Sequence, residues 1–86
     1  MIIVNDNYGS IYNFDNILSI EPSHNSEYYT LNICNHDLTL IKPIAKFTHE
    51  KDLDDCIAKI IDYYTSNKKV VFIKDKLEDK NDTNRT

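Results

Sequence analysis

Residues 46–69, KFTHEKDLDDCIAKIIDYYTSNKK, contain the clearest structural signal in the chain. Apolar residues recur in this segment at i, i+3, i+4, i+7, i+8 and i+11, which is the spacing of one continuous stripe on an α-helix. The stripe consists of Leu53, Cys56, Ile57, Ile60, Ile61 and Tyr64. Thr48 is the expected N-cap, and Asn67 suits the left-handed position after the last turn. The segment therefore predicts a long amphipathic helix of about eighteen residues.

The chain before this helix has the pattern of short strands. In YYTLNIC, at residues 28–34, alternation places Tyr29, Leu31 and Ile33 on a core-facing side. Pro22 is expected to end the strand before it, because proline cannot donate to a ladder. We predict an α+β fold in which an antiparallel sheet of about four to six short strands packs against the one long helix.

A last strand is predicted after the helix, at residues 70–73, where VVFI shows no alternation. Continuous apolar β-formers are typical of a strand that is buried on both faces. In so small a domain one of those faces is hard to cover from within the chain, so one hypothesis is a homo-oligomer or partner contact. The homo-oligomer or partner contact would be formed by Val70, Val71, Phe72 and Ile73. Burial of this strand within its own chain remains the alternative.

Length and charge limit the remaining possibilities. The 86 residues make one small domain, which we place at residues 1–73, followed by a polar tail at 74–86 that is expected to be disordered. The net charge is −4, and residues 1–41 contain five acids but no lysine or arginine. Direct nucleic-acid binding is not expected, because the single arginine is Arg85. Without a leader or a long apolar run, we expect a cytoplasmic protein with reduced thiols and no membrane contact.

One short stretch, CNHD at residues 34–37, brings a thiol, an imidazole and a carboxylate together. It favours a turn between two alternating runs. The alternatives are a Cys–His nucleophile, a Cys34–Cys56 disulfide, or a metal site with ligands from elsewhere in the chain. The residues considered for that metal site are Cys34, His36, Cys56, His24 and His49, which show no recognised spacing. We therefore predict no enzyme, no cofactor and no metal.

The acidic first half also carries tyrosines, which are enriched at protein interfaces. Acids beside them would steer a basic partner. The alternative is that the tyrosines reflect strand propensity and AT-rich codon usage. The candidate protein-binding residues are Tyr8, Tyr12, Asp15, Glu27, Tyr28, Thr30 and Asn32.

The opening MIIVN, the segment NFDNILSI and the helix FTHEKDLDDCIAKIIDYY together resemble small uncharacterised proteins of bacteriophages and mobile elements in AT-rich bacteria. This resemblance covers residues 1–66 and implies an accessory role, such as inhibition of host immune machinery. We accordingly predict a non-enzymatic protein-binding module that acts as a phage-type inhibitor on a host protein with a basic surface. Two alternatives remain, namely a homo-oligomeric small-ligand binder with its site at the subunit interface, and a structural or assembly protein.

Overall fold

The computed structural model describes residues 1–16, 19–34 and 41–78. This part of the chain forms six strands and one α-helix, so the predicted α+β class, the long helix and the strand after it are confirmed. The elements are β1 (Ile2–Asn5), β2 (Ser10–Asn13), a 3-10 turn (Phe14–Asn16), β3 (Ser19–His24), β4 (Tyr29–Cys34), β5 (Ile41–Phe47), α1 (Glu50–Thr65) and β6 (Val70–Ile73).

The six strands are divided between two three-stranded sheets, with the orders β2-β1-β6 and β3-β4-β5. All pairings are antiparallel except that of β1 with β6, which is parallel and runs from Ile2 opposite Val70 to Asn5 opposite Ile73. A parallel pair needs a long connection, and here that connection contains the second sheet and the helix. The first and last strands of the fold are therefore neighbours.

The helix begins one residue later than the sequence predicted. Its N-cap is His49, which makes no capping hydrogen bond through its side chain. The prediction of Thr48 as N-cap was wrong, because the Thr48 hydroxyl instead accepts a hydrogen bond of 2.6 Å from the Glu78 N–H. This contact with a distant residue therefore occupies the Thr48 hydroxyl oxygen, which would otherwise accept a hydrogen bond from a backbone N–H in the first turn of the helix.

The end of the helix follows the prediction. Asn67 has a φ of 58°, which is the left-handed conformation expected of it. The Lys68 N–H donates to the Tyr63 carbonyl at 2.9 Å, and the Asn67 N–H donates to the Tyr64 carbonyl at 3.2 Å. These two bonds form a Schellman motif, which satisfies carbonyls that the last turn leaves unpaired. This helix is not long and apolar enough to cross a membrane, and it is the only α-helix in the described residues.

One cluster of apolar side chains fills the space between the sheets and the helix. Its members are Ile3, Leu31, Ile44, Ala45, Phe47, Leu53, Cys56, Ile60, Val71 and Ile73. Ile44 and Ala45 are both buried although they are consecutive in a strand. The register between β4 and β5 shifts here, with Leu31 opposite Ala45 but Asn32 opposite Pro43, so Ile44 has no partner. This bulge turns two neighbouring side chains into the core.

Strand β3 continues through Pro22 to His24, so the prediction that this proline ends the strand was wrong. In the described residues β3 lies at the edge of its sheet, where a missing N–H does not interrupt the ladder. The predicted turn at residues 35–37 and the strand residues 38–40 lie outside the described residues. The strands on either side of them pair antiparallel, with Cys34 opposite Ile41.

The chain after β6 connects the two sheets. Lys76 forms a parallel bridge with Phe47 at the far edge of β5. The Thr48 N–H donates to the Lys76 carbonyl at 2.9 Å, and the Lys76 N–H donates to the Lys46 carbonyl at 3.0 Å. Residues 74–78, which the sequence assigned to the tail, therefore lie along β5, and the rest of the tail lies outside the described residues.

A buried polar side chain makes the second connection between the sheets. Asn5, on β1, is fully buried, and its Nδ2 donates to the Ile44 carbonyl on β5 and to Asp75 Oδ1. Its Oδ1 accepts a 2.9 Å hydrogen bond from the Asn7 N–H. Asp75 Oδ1 also accepts from the Lys46 N–H at 3.1 Å. Every polar atom of the Asn5 amide is thus paired in the core, as burial requires.

Candidate functional site

The structure separates the predicted protein-binding residues. They lie in the turn after β1 (Tyr8), on β2 (Tyr12), in the 3-10 turn (Asp15), between β3 and β4 (Glu27 and Tyr28) and on β4 (Thr30 and Asn32). Tyr28 and Thr30 come together beside Lys46, and Asn32 follows Thr30 along the same side of β4. Asp15 and Glu27 lie beyond opposite ends of β3, whose six residues span roughly 20 Å at ~3.3 Å per residue.

Lysines lie against two of these tyrosines. Lys42 Nζ is 5.4 Å from the ring centroid of Tyr12, and Lys46 Nζ is 5.6 Å from that of Tyr28. Both lysines come from β5, which the fold places beside β4. The acidic character of residues 1–41 along the sequence is therefore offset in space by cations from the second half.

Tyr8 is exposed, but its hydroxyl already has a partner within the chain. It donates a 2.7 Å hydrogen bond to Asp75 Oδ2. This hydrogen bond and the negative charge of the carboxylate raise the pKa of Tyr8, because both favour the protonated phenol. Tyr8 therefore forms the solvent-exposed end of the hydrogen-bond network around Asp75.

Among the residues that the structure describes, those considered for metal binding do not form a site. In the described part of the chain no group of three or more His, Cys, Asp or Glu side chains is arranged to hold a metal ion. The candidate ligands instead have different surroundings. His24 stacks on Tyr29, and His49 Nε2 lies 2.8 Å from a carboxylate oxygen of Glu78. Cys34 Sγ lies 3.6 Å from a carboxylate oxygen of Glu21, and Cys56 lies in the core. His36 lies outside the described residues. Both cysteines are free thiols, so no disulfide joins Cys34 to Cys56.

Burial raises the pKa of the Cys56 thiol to about 11, an effect that the nearby Lys59 ammonium offsets only in part. Since the thiolate is the reactive form, we expect Cys56 to be alkylated at pH 8 at least about 100-fold more slowly in the folded protein than in urea. Iodoacetamide labelling of the Cys34→Ser variant, followed by mass spectrometry, measures this ratio. Equal rates in the two conditions would show that Cys56 is accessible in the folded state.

The largest departure from the predicted core lies at the end of the helix. Of the apolar stripe, Leu53, Cys56 and Ile60 are buried, whereas Ile61 is 57% exposed and Tyr64 is 55% exposed. These exposed side chains form one wall of a cavity of about 390 Å³, which we call the helix–β3 groove. Its lining residues are Phe14, Ile20, Pro22, Ile57, Ile60, Ile61 and Tyr64.

The groove is open because the helix does not cover the whole second sheet. The helix packs against β4, β5 and β6, and β3 lies beyond it at the sheet edge. Ile20 and Pro22 form the wall on the β3 side. Phe14 stacks on Tyr64 with ring centroids 5.1 Å apart, which joins the 3-10 turn to the end of the helix. The sequence analysis identified the helical residues of the groove, Ile57, Ile60, Ile61 and Tyr64, but assigned them to the core. It did not predict that Phe14 and Pro22 line the groove.

A second apolar surface lies on the other sheet, and we call it the outer sheet face. The six side chains that point away from the core in β2-β1-β6 are Ile2, Val4, Ile11, Asn13, Val70 and Phe72. Ile11 is 67% exposed and Phe72 is 51% exposed. In β6 only Val71 and Ile73 are buried, so the described residues cover one face of the strand and leave the other open.

Comparison of the chain with known protein families, with curated proteins and with solved structures finds no match. The fold and its surfaces define an α+β domain with two open apolar surfaces on different sides of one small core. The likeness to bacteriophage and mobile-element proteins stays a prediction.

Proposed function

We propose that this protein is a non-enzymatic protein-binding module and that the helix–β3 groove receives apolar side chains of its partner. The supporting observation is the exposure of Ile61 and Tyr64 beside Phe14, in a cavity whose lining side chains are all apolar apart from the hydroxyl of Tyr64. Contiguous exposed apolar surface on a small protein is typical of an interaction site. Aromatic and aliphatic side chains in a pocket are also where binding energy concentrates.

The edge of β3 favours one mode of binding over another. A partner could extend the sheet by adding a strand, or it could insert side chains into the groove. Pro22 removes a backbone donor from this edge, and Glu21 adds a charge beside it, and both features oppose strand addition. We therefore propose side-chain insertion, as from the apolar face of a partner helix.

The charges beside the groove fit the kind of partner that the sequence predicted. Asp15 follows Phe14, and Asp62 follows Ile61, so exposed carboxylates flank two lining residues. Such carboxylates favour apolar anchors that are flanked by basic residues. Together with the resemblance to phage proteins, this supports a host protein with a basic surface as the partner, and inhibition of that protein as the outcome.

Replacing Ile61 with glutamate tests the proposal. A carboxylate in the groove would have to be desolvated on binding, so we expect the affinity for the partner to fall by about 100-fold. The measurement is affinity capture of the tagged protein from host lysate followed by native mass spectrometry, with titration of the captured partner. Phe72→Glu is the matched control, because it places the same charge on an exposed apolar residue outside the groove.

A partner that binds Ile61→Glu as tightly as the unmodified protein would contradict the groove assignment. A loss of binding caused by Phe72→Glu and not by Ile61→Glu would move the site to the outer sheet face. Capture of no protein at all from the host lysate would contradict the binding-module proposal itself.

A second candidate function is favoured by the size of the groove. Its volume of about 390 Å³ lies within the range of small-molecule pockets, and its lining is almost wholly apolar. The sequence placed such a ligand at a subunit interface, whereas this groove is formed by one chain. A small additional mass on the natively purified protein, lost in Ile61→Glu, would support this second function over the first.

A further inference from the structure

We infer that two copies of this chain associate through the outer sheet face, so that each covers the open side of the other's β2-β1-β6 sheet. Cross-strand pairing arranges the face in two rows. Ile11, Val4 and Phe72 form one row, and Asn13, Ile2 and Val70 form the other. Five of these six side chains are apolar, and none is ionisable.

The strand pairing and the apolar sequence of β6 favour a cover over this face. An antiparallel sheet commonly leaves one face to solvent, and that face then carries polar residues. All-parallel sheets are normally covered on both faces, and in this mixed sheet β1 and β6 form a parallel pair. The alternation of buried and exposed residues in β6 does not match its uniformly apolar sequence, VVFI. The sequence of β6 is therefore suited to burial on both faces, but the part of the chain that the structure describes buries only one of them.

A second copy matches the chemistry of this face. The six side chains of the face carry no charge, so the faces of two copies meet across a two-fold axis without like-charge repulsion between those side chains. The exposed parts of Ile2, Ile11, Val70 and Phe72 amount to roughly 400 Å², about half of the ~800 Å² that each partner buries in a standard interface. We therefore expect a reversible dimer of modest affinity.

The outer sheet face and the proposed protein-binding site share no residue. The helix–β3 groove is lined by none of the outward residues of β1, β2 or β6. A dimer would consequently present two grooves. Substitutions of Ile61, in the groove, and of Phe72, on the outer sheet face, therefore distinguish the two proposals.

Sedimentation equilibrium of the purified full chain tests the inference over a concentration range from about 5 µM to 500 µM, which spans affinities expected of a small interface. We expect the mass to rise from monomer to dimer with concentration. Phe72→Lys should weaken association at least about 10-fold, because it places a charge on the edge strand β6, where the apolar face would be desolvated by a second copy. Ile11→Lys, on the opposite edge strand, should act in the same way, and Ile61→Lys should leave association unchanged.

Three results would overturn the inference. One is a monomer at all concentrations. Another is a dimer that neither Phe72→Lys nor Ile11→Lys weakens, with both variants shown by circular dichroism to be folded. The third is a complex with a different protein that covers this face while the purified chain alone stays monomeric.

Discussion

Replacing Asn5 with alanine is expected to lower the free energy of unfolding by about 3 kcal/mol, because buried polar groups lose their partners. Asn5 is fully buried and joins β1 to β5 through the Ile44 carbonyl and to the chain after β6 through Asp75. Its removal leaves the Ile44 carbonyl and the Asn7 N–H without the partners that they have in the folded protein. The loss is therefore larger than that of an exposed hydrogen bond.

Urea unfolding followed by circular dichroism measures this difference. Tyr8→Phe is the matched control, because it removes a hydrogen bond to the same Asp75 carboxylate from an exposed position. We expect that control to cost less than about 1 kcal/mol, since water replaces the lost partner. Equal effects of the two substitutions would show that the buried connection does not stabilise the fold beyond an ordinary surface contact.

Replacing Phe47 with alanine is expected to cost about 4 kcal/mol, because truncating a buried phenylalanine loses transfer free energy and leaves a cavity. Phe47 is 1% exposed and lies between the second sheet and the helix. The backbone of Phe47 also forms the parallel β-bridge to Lys76. A core of this size supplies only about 3–5 kcal/mol of net stability. The variant should therefore be largely unfolded at 25 °C.

The measurement for Phe47→Ala is the loss of near-ultraviolet circular dichroism and of amide chemical-shift dispersion. Phe47→Leu is the control. It keeps most of the apolar volume and is expected to remain folded, with a loss of about 1.5 kcal/mol. If Phe47→Ala unfolds cooperatively at a temperature within a few degrees of the unmodified protein, the core is more adaptable than its packing indicates.

The parts of the fold that the sequence predicted are those that depend on neighbours along the chain. The periodicity of the helix and the left-handed Asn67 arise within a few residues, and both were predicted correctly. The division of the strands between two sheets depends on β1 meeting β6 and on the bulge at Ile44, both set by distant contacts. The hydroxyl of Thr48 was assigned to the wrong partner for the same reason, since Glu78 lies thirty residues away.

The candidate site was predicted only in part, because exposure is decided by what covers a side chain. Ile61 and Tyr64 belong to a stripe that any helix would direct towards a core, and only the position of β3 beyond the helix leaves them open. The acids and the lysines are likewise separated along the sequence but not in the folded protein, where lysines of β5 lie beside residues of the acidic first half. Pairing of β4 with β5 puts Lys46 against Tyr28, a contact that sequence spacing does not reveal.

The parallel pairing of β1 with β6 has a consequence for how the chain acquires its structure during synthesis. Ile2 cannot meet Val70 until the ribosome has released nearly the whole domain. Until then β1 and β2 form at most a two-stranded hairpin, which is marginally stable in water. Contacts so distant in sequence slow folding and prolong the exposure of apolar strands. We therefore expect this domain to fold as one unit once β6 has emerged, rather than piece by piece as it is synthesised.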